Sequence, residues 1–151
     1  MYALDPQLQQ DTVQLGQFPL CDVLLMKDAN FPWVILVPRR SRIREMFHLS
    51  TEEQHQLMDE SVFVSQRMAD FYEADKMNVA ALGNVVPQLH VHHVVRRQND
   101  LCWPKPIWGA VTAKPYEEAE LKSMVDELTR LFSGKFVSEG QGDDDNDSSL
   151  Y

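Results

Sequence analysis

The chain has 151 residues, with 14 Lys and Arg against 23 Asp and Glu, a net charge of −9. Five of those acids fall between Glu139 and Tyr151 with no base, so the rest of the chain is only mildly acidic, 18 acids against 14 bases. That length suits one domain with a single core over residues 1–137, and that charge excludes a broad phosphate-neutralising surface for a nucleic-acid polymer while leaving room for small anions.

Asp5-Pro6 reads as a helix N-cap followed by proline at the first helical position, and Gly16 as a stop after Leu8, Val13 and Leu15. A short leading helix is therefore expected. Residues 21–26 and 33–37 are β-rich apolar runs separated by Lys27-Asp28-Ala29-Asn30-Phe31-Pro32, whose Asp, Asn and Pro favour a turn, so they read as an antiparallel hairpin. Pro38 ends the second strand, and Arg39, Arg40, Arg42 and Arg44 follow as a basic loop read as a solvated rim. Ser50 and Glu53 form a capping-box pattern. With Leu57, Val64, Met68 and Phe71 at helical spacing, they predict a long helix over 51–72.

Strands over 77–82 and 88–95 follow, joined by a loop containing Gly83-Asn84, and are expected to pair as a second hairpin. After Arg97, Trp103, Pro104, Pro106 and Trp108 mark an ordered loop too proline-rich for a central strand. Leu121, Val125, Leu128 and Phe132 predict a last amphipathic helix over 115–132. The stretch 138–151 is polar and acidic, the composition of a disordered tail.

No apolar run approaches the roughly 18 to 20 residues of a membrane span, and the N-terminus lacks the basic and then apolar regions of a secretory signal. A cytoplasmic protein without a membrane partner is expected. The two cysteines, Cys21 and Cys102, are far apart in sequence and read as free thiols of a reducing compartment.

The run Pro87-Gln88-Leu89-His90-Val91-His92-His93-Val94-Val95 carries the chemistry. Alternation along an extended strand puts Gln88, His90, His92 and Val94 on one face and Leu89, Val91, His93 and Val95 on the other. Polar side chains on a buried strand cost free energy unless partnered, so two same-face imidazoles beside Gln88 point to a site. A neutral imidazole can attack phosphorus at neutral pH. His90, with Gln88 and His92 about 6.6 Å to either side at roughly 3.3 Å per residue, is the candidate nucleophile, and His92 and Gln88 are candidate phosphate donors. His93 faces away and reads as structural. Gly83 permits close approach of a phosphate to backbone while the Asn84 amide donates to it, beyond the hairpin turn both residues favour. Asp28 suits either a turn or the two hydroxyls of a ribose. A zinc site using His90, His92 and Cys102 or Cys21 is a rival reading, but no CxxC or HxxxH spacing completes a ligand set, so neither a metal nor a cofactor is assigned.

Gln88-Leu89-His90-Val91-His92-His93-Val94 resembles the His-φ-His-φ-His-φ-φ signature (φ apolar) of the histidine-triad, or HIT, superfamily, with Gln88 in place of the first histidine. The resemblance runs from Cys21 to Trp108 and takes in Val34-Ile35-Leu36-Val37-Pro38, the long middle helix, Gly83-Asn84 and Trp103-Pro104. It implies an α+β fold, an antiparallel sheet with the long middle helix and a C-terminal helix packed on it, and a homodimer. It further implies a nucleotide hydrolase or nucleotidyl transferase: His90 attacks the α-phosphate to form a nucleotidyl-histidine, and His92 contacts phosphate and assists the leaving group. Asn84 then contacts phosphate and Asp28 the ribose. Trp33 stands where some relatives carry a histidine. Substrates of this class are phosphoramidates, dinucleoside polyphosphates or similar conjugates. The alternative is a binding module that keeps the nucleotide cleft but has lost chemistry with the first triad histidine.

Overall fold

The computed structural model describes residues 1–139, so the acidic tail expected over 138–151 lies, beyond its first two residues, outside the described residues. The chain opens with helix α1, Pro6–Asp11, whose cap Asp5 accepts a hydrogen bond from the Gln7 amide at 2.8 Å and whose first turn holds Pro6. This helix stops well short of Gly16. Strand β1, Thr12–Gln17, follows it without a break. Val13 and Leu15 are two residues apart and Thr12-Val13 is β-branched, so the period-2 pattern prevails over the helical one.

Strands β2, Cys21–Met26, and β3, Trp33–Pro38, form the expected hairpin. A 3-10 turn at Met46–His48 leads into helix α2, Thr51–Tyr72. The capping box at the start of α2 is present in both directions: the Glu53 amide donates to Ser50 Oγ and the Ser50 amide donates to Glu53 Oε1. Strands β4, Lys76–Ala81, and β5, Val91–Arg96, pair antiparallel, and helix α3, Glu118–Leu131, comes last. Strand β5 begins at Val91 rather than at Gln88, which the sequence pattern had included.

The five strands form one antiparallel sheet in the order β1-β2-β3-β5-β4. Alternation sorts its side chains into two cores. Val23, Leu25, Val34, Leu36, Val91 and Val95 pack beneath α2 and α3 against Leu57, Val64, Met68, Leu128 and Phe132. On the opposite face Leu24, Trp33, Ile35, Val37 and Val94 pack with Leu8 of α1 and with Ile107 and Trp108 of the loop after β5. Ile35 lies directly across from His92 in the register, so Trp33, two residues before it, shares the face of His92.

The basic loop is not a uniformly solvated rim. Arg39 is fully buried, because its amide turns back to donate to the Leu20 carbonyl and its guanidinium lies beside Asp22 at 4.0 Å. Arg40 pairs with Glu53. Cys21 and Cys102 are both free thiols. Among the described residues no helix is long and apolar enough to cross a membrane, and no three His, Cys, Asp or Glu side chains cluster to hold a metal.

Candidate active site

Three consecutive constraints set the state of the three histidines of β5 and its approach. His90 sits just before the strand, 7 % exposed, with Nδ1 at 2.7 Å from the Gln88 carbonyl oxygen. A carbonyl only accepts, so His90 is assigned Nδ1–H and its Nε2 keeps the lone pair. His92, 6 % exposed, has Nδ1 at 3.0 Å from Trp33 Nε1. An indole N–H only donates, so neutral His92 carries its proton on Nε2. His93, fully buried on the opposite face, has Nδ1 at 3.3 Å from the Val34 carbonyl and Nε2 at 2.7 Å from Ser61 Oγ. His93 therefore donates to backbone and accepts from the serine hydroxyl, a structural bridge between β5 and α2.

The rings of His90 and His92 have centroids 4.9 Å apart, inclined by 69°. Burial, then the neighbouring His90 and His93, push the His92 pKa down to about 3, so its ring is neutral at physiological pH. Trp108 packs edge-on against both His92, at 5.4 Å, and Trp33, at 6.2 Å. A lone pair at His90 and an uncharged N–H at His92 thus stand side by side, a nucleophile next to a donor.

Both histidines line a cavity of about 410 Å³ whose walls include Gln7, Leu8 and Asp11 of α1, and Gly83, Asn84 and Val86 of the loop between β4 and β5. Gly83 has φ of +108°, in the region that favours glycine, and lets that loop turn into the cavity wall. Asn84 is exposed there. The structure therefore brings His90, His92, Gly83 and Asn84 together around one space.

Asp28 and Gln88 are placed differently. Asp28 is 3 % exposed, and its Oδ1 accepts the amides of Asn30 and Lys114, the turn role open to it from sequence. It lines an adjoining cavity of about 200 Å³ with Phe31, Trp33 and Trp108, and Met26 is common to both cavities. Gln88 does not line the cavity of His90 and His92. Its amide Nε2 donates to the Ala3 carbonyl at 2.9 Å and its Oε1 accepts the Asp5 amide at 2.9 Å, so the side chain clamps the segment before α1. The strand alternation that put Gln88 beside His90 fails because residue 88 precedes β5, where the chain is not extended. Trp108 and the α1 wall were not identified from sequence as site residues, and Trp33 was marked there only as standing where some relatives carry a histidine, with no contact assigned to it.

The family described as HIT domain matches residues 7–99. The chain belongs to the histidine-triad (HIT) family. Solved HIT relatives extend the match: a histidine triad protein from Marinobacter aquaeolei VT8 is 50% identical over 89% of this chain and 98% of its own, with a TM-score of 0.87. A second from Bradyrhizobium japonicum is 41% identical over 90% and 98%, with a TM-score of 0.83. A third from Sinorhizobium meliloti 1021 is 37% identical over 90% and 98%, with a TM-score of 0.82. Comparison with curated proteins gave no match. Membership accounts for the α+β architecture and for a histidine strand inside the sheet, between β3 and β4, and it supports a protein of the nucleotide-binding, hydrolase or transferase kind.

Proposed function

We propose that this HIT protein is a nucleotide hydrolase or nucleotidyl transferase acting at an α-phosphate, with His90 as the nucleophile and a nucleotidyl-histidine as the intermediate. The observation that carries the reading is the tie from His90 Nδ1 to the Gln88 carbonyl. It keeps the Nε2 lone pair available in a cavity where His92 offers an N–H. Asn84 on the cavity rim serves as a phosphate donor and Gly83 gives the phosphate access to backbone. Asp28 in the adjoining aromatic cavity serves the ribose through Oδ2, which has no hydrogen-bond partner among the described residues.

The test is intact mass after brief mixing with a diadenosine polyphosphate or an adenosine phosphoramidate, run beside His90→Asn. A transient nucleotidyl adduct in the native protein alone is expected, with turnover by His90→Asn lower by several orders of magnitude, as for loss of a nucleophile. A loss below roughly tenfold sinks the assignment. Binding without adduct or product leaves the non-catalytic nucleotide-binding module, a reading favoured by the turning of Gln88 away from the cavity.

We also propose that the protein is a homodimer. Strand β4 is a sheet edge, and beside it an apolar groove of about 830 Å³ runs between β4 and α2, lined by Met58, Val62, Met77 and Val79 among others. An unpaired, largely apolar edge next to an apolar groove supports a second copy as its cover.

A further inference from the structure

The buried contact between Trp33 and His92 puts an indole where some relatives carry a histidine, and it constrains chemistry. Trp33 is 7 % exposed and its Nε1–H points at His92 Nδ1 at 3.0 Å. An imidazole in that position can exchange donor and acceptor roles, whereas an indole N–H donates at every pH. Protonated His92 would turn Nδ1–H toward that indole N–H, two donors facing each other with no acceptor between them. Among the described residues, the titratable groups around His92 are His90 and His93 of the same segment and Asp11 on α1 across the cavity; β3 contributes Trp33 and Ile35 and the later loop Trp108. Both Asp11 side-chain oxygens accept from Gln7 Nε2, at 3.0 Å each, so that side chain is engaged along its own helix. Gln88, at the triad's first position, is bound to Ala3 and Asp5 and carries no acidic proton.

We infer that Trp33 is a positioning residue that fixes His92 as an uncharged Nε2–H donor. The site is thereby matched to substrates whose leaving group departs as an anion, phosphoanhydrides such as dinucleoside polyphosphates, over nucleoside phosphoramidates. This rests on the proposed nucleophilic role of His90. In the first half-reaction the His90 Nε2 lone pair forms the N–P bond, the bridging P–O bond breaks, and its electron pair stays on the departing phosphate oxygen, which accepts a hydrogen bond from His92 Nε2–H. No proton moves. His90 keeps Nδ1–H on the Gln88 carbonyl and carries the positive charge. In the second half, a water oxygen forms the new P–O bond, the N–P pair returns to His90, and the water proton passes to solvent. Breaking P–N the same way would expel an amide anion unless an acid delivered a proton, and among the described residues no side chain on the cavity is placed to be that acid.

Two measurements separate the parts of the inference. The first is long-range ¹H–¹⁵N imidazole NMR of the ligand-free protein, native beside Trp33→Phe and Trp33→His. Native His92 is expected to remain the neutral Nε2–H tautomer from about pH 5 to 8, and Trp33→Phe to release it into a tautomer mixture. A charged or Nδ1–H His92 in the native protein at neutral pH overturns the role of Trp33, whatever the protein catalyses. The second is kcat/KM for a diadenosine polyphosphate against an adenosine phosphoramidate. A preference for the anhydride of roughly tenfold or more is expected, narrowing in Trp33→His, whose imidazole restores a reversible partner. Equal rates, or a phosphoramidate preference, overturn the leaving-group assignment. Failure of both substrates with the tautomer intact overturns that assignment together with the proposed function, while the role of Trp33 stands.

Discussion

The three histidines share one residue type and do different jobs because each is held by a different partner: a carbonyl for His90, an indole for His92, a carbonyl and a hydroxyl for His93. For His93 this has a measurable cost in acid. Burial pushes its pKa down from 6.5 to about 4, so between those values the unfolded chain binds the proton that the folded chain refuses. Its contribution is present in full above the unfolded value and is lost as pH falls toward 4, on the order of 3 kcal/mol over the whole window. Urea unfolding from pH 7 to 4 is expected to show His93→Gln losing stability less steeply than the native protein, even if it starts lower. Parallel pH slopes for the two proteins would refute this account of His93. Alternation in the sequence was sufficient to separate His93 from His90 and His92, since that needs only the strand period. It was not sufficient for Gln88, whose partners Ala3 and Asp5 lie at the other end of the chain, or for Trp33, whose place beside His92 depends on the register between β3 and β5.

At the scale of elements, local signals were legible wherever one pattern acted alone. The capping box of Ser50 and Glu53 with its apolar stripe defined α2 at both ends, and the turn residues 27–32 defined the first hairpin. The start of the chain misled because Leu8, Val13 and Leu15 fit helical spacing while Val13 and Leu15 also fit a strand, and pairing with β2 decides for the strand. Gly16, expected as a helix stop, has another reason to be glycine. The pairing of β1 with β2 slips between Gln14 and Gly16, and a Cβ at residue 16 would lie 2.7 Å from the ring of Phe136. That ring is itself held against Phe18, with centroids 5.4 Å apart. Gly16→Ala is therefore expected to destabilise by about 1 to 3 kcal/mol, the usual cost of overpacking. In Phe136→Ala the obstacle is gone, so Gly16→Ala added to that background should cost clearly less. Additive losses in the double-mutant cycle would show that Phe136 is not what excludes a side chain.

At the scale of the whole molecule, the two faces of the sheet have different fates. The face bearing His90 and His92 is closed by α1 and the tryptophan loop into defined cavities, whereas α2 and β4 leave apolar surface uncovered: Met58 is 63 % exposed, Val62 53 % and Val79 50 %. An edge strand normally carries charge or a bulge that blocks pairing, yet after Lys76 strand β4 reads Met77-Asn78-Val79-Ala80-Ala81 without a charge. In the proposed dimer, antiparallel pairing of β4 with its own copy about a two-fold axis would satisfy the open backbone groups and cover the groove in one isologous contact. Sedimentation equilibrium is expected to give a dimer for the native protein at micromolar concentration. Val79→Glu combined with Met58→Glu is expected to give a monomer, since like charges buried in an apolar interface repel and find no partner. The sheet continues from β4 through β5, so the proposed dimer would also brace the strand that carries His92 and, through Ser61 on α2, the back of that strand at His93. The monomeric variant should accordingly melt lower and at a temperature independent of concentration, while the native midpoint rises with concentration. A native protein that sediments as a monomer, with a midpoint indifferent to concentration, would instead assign the groove to some other cover.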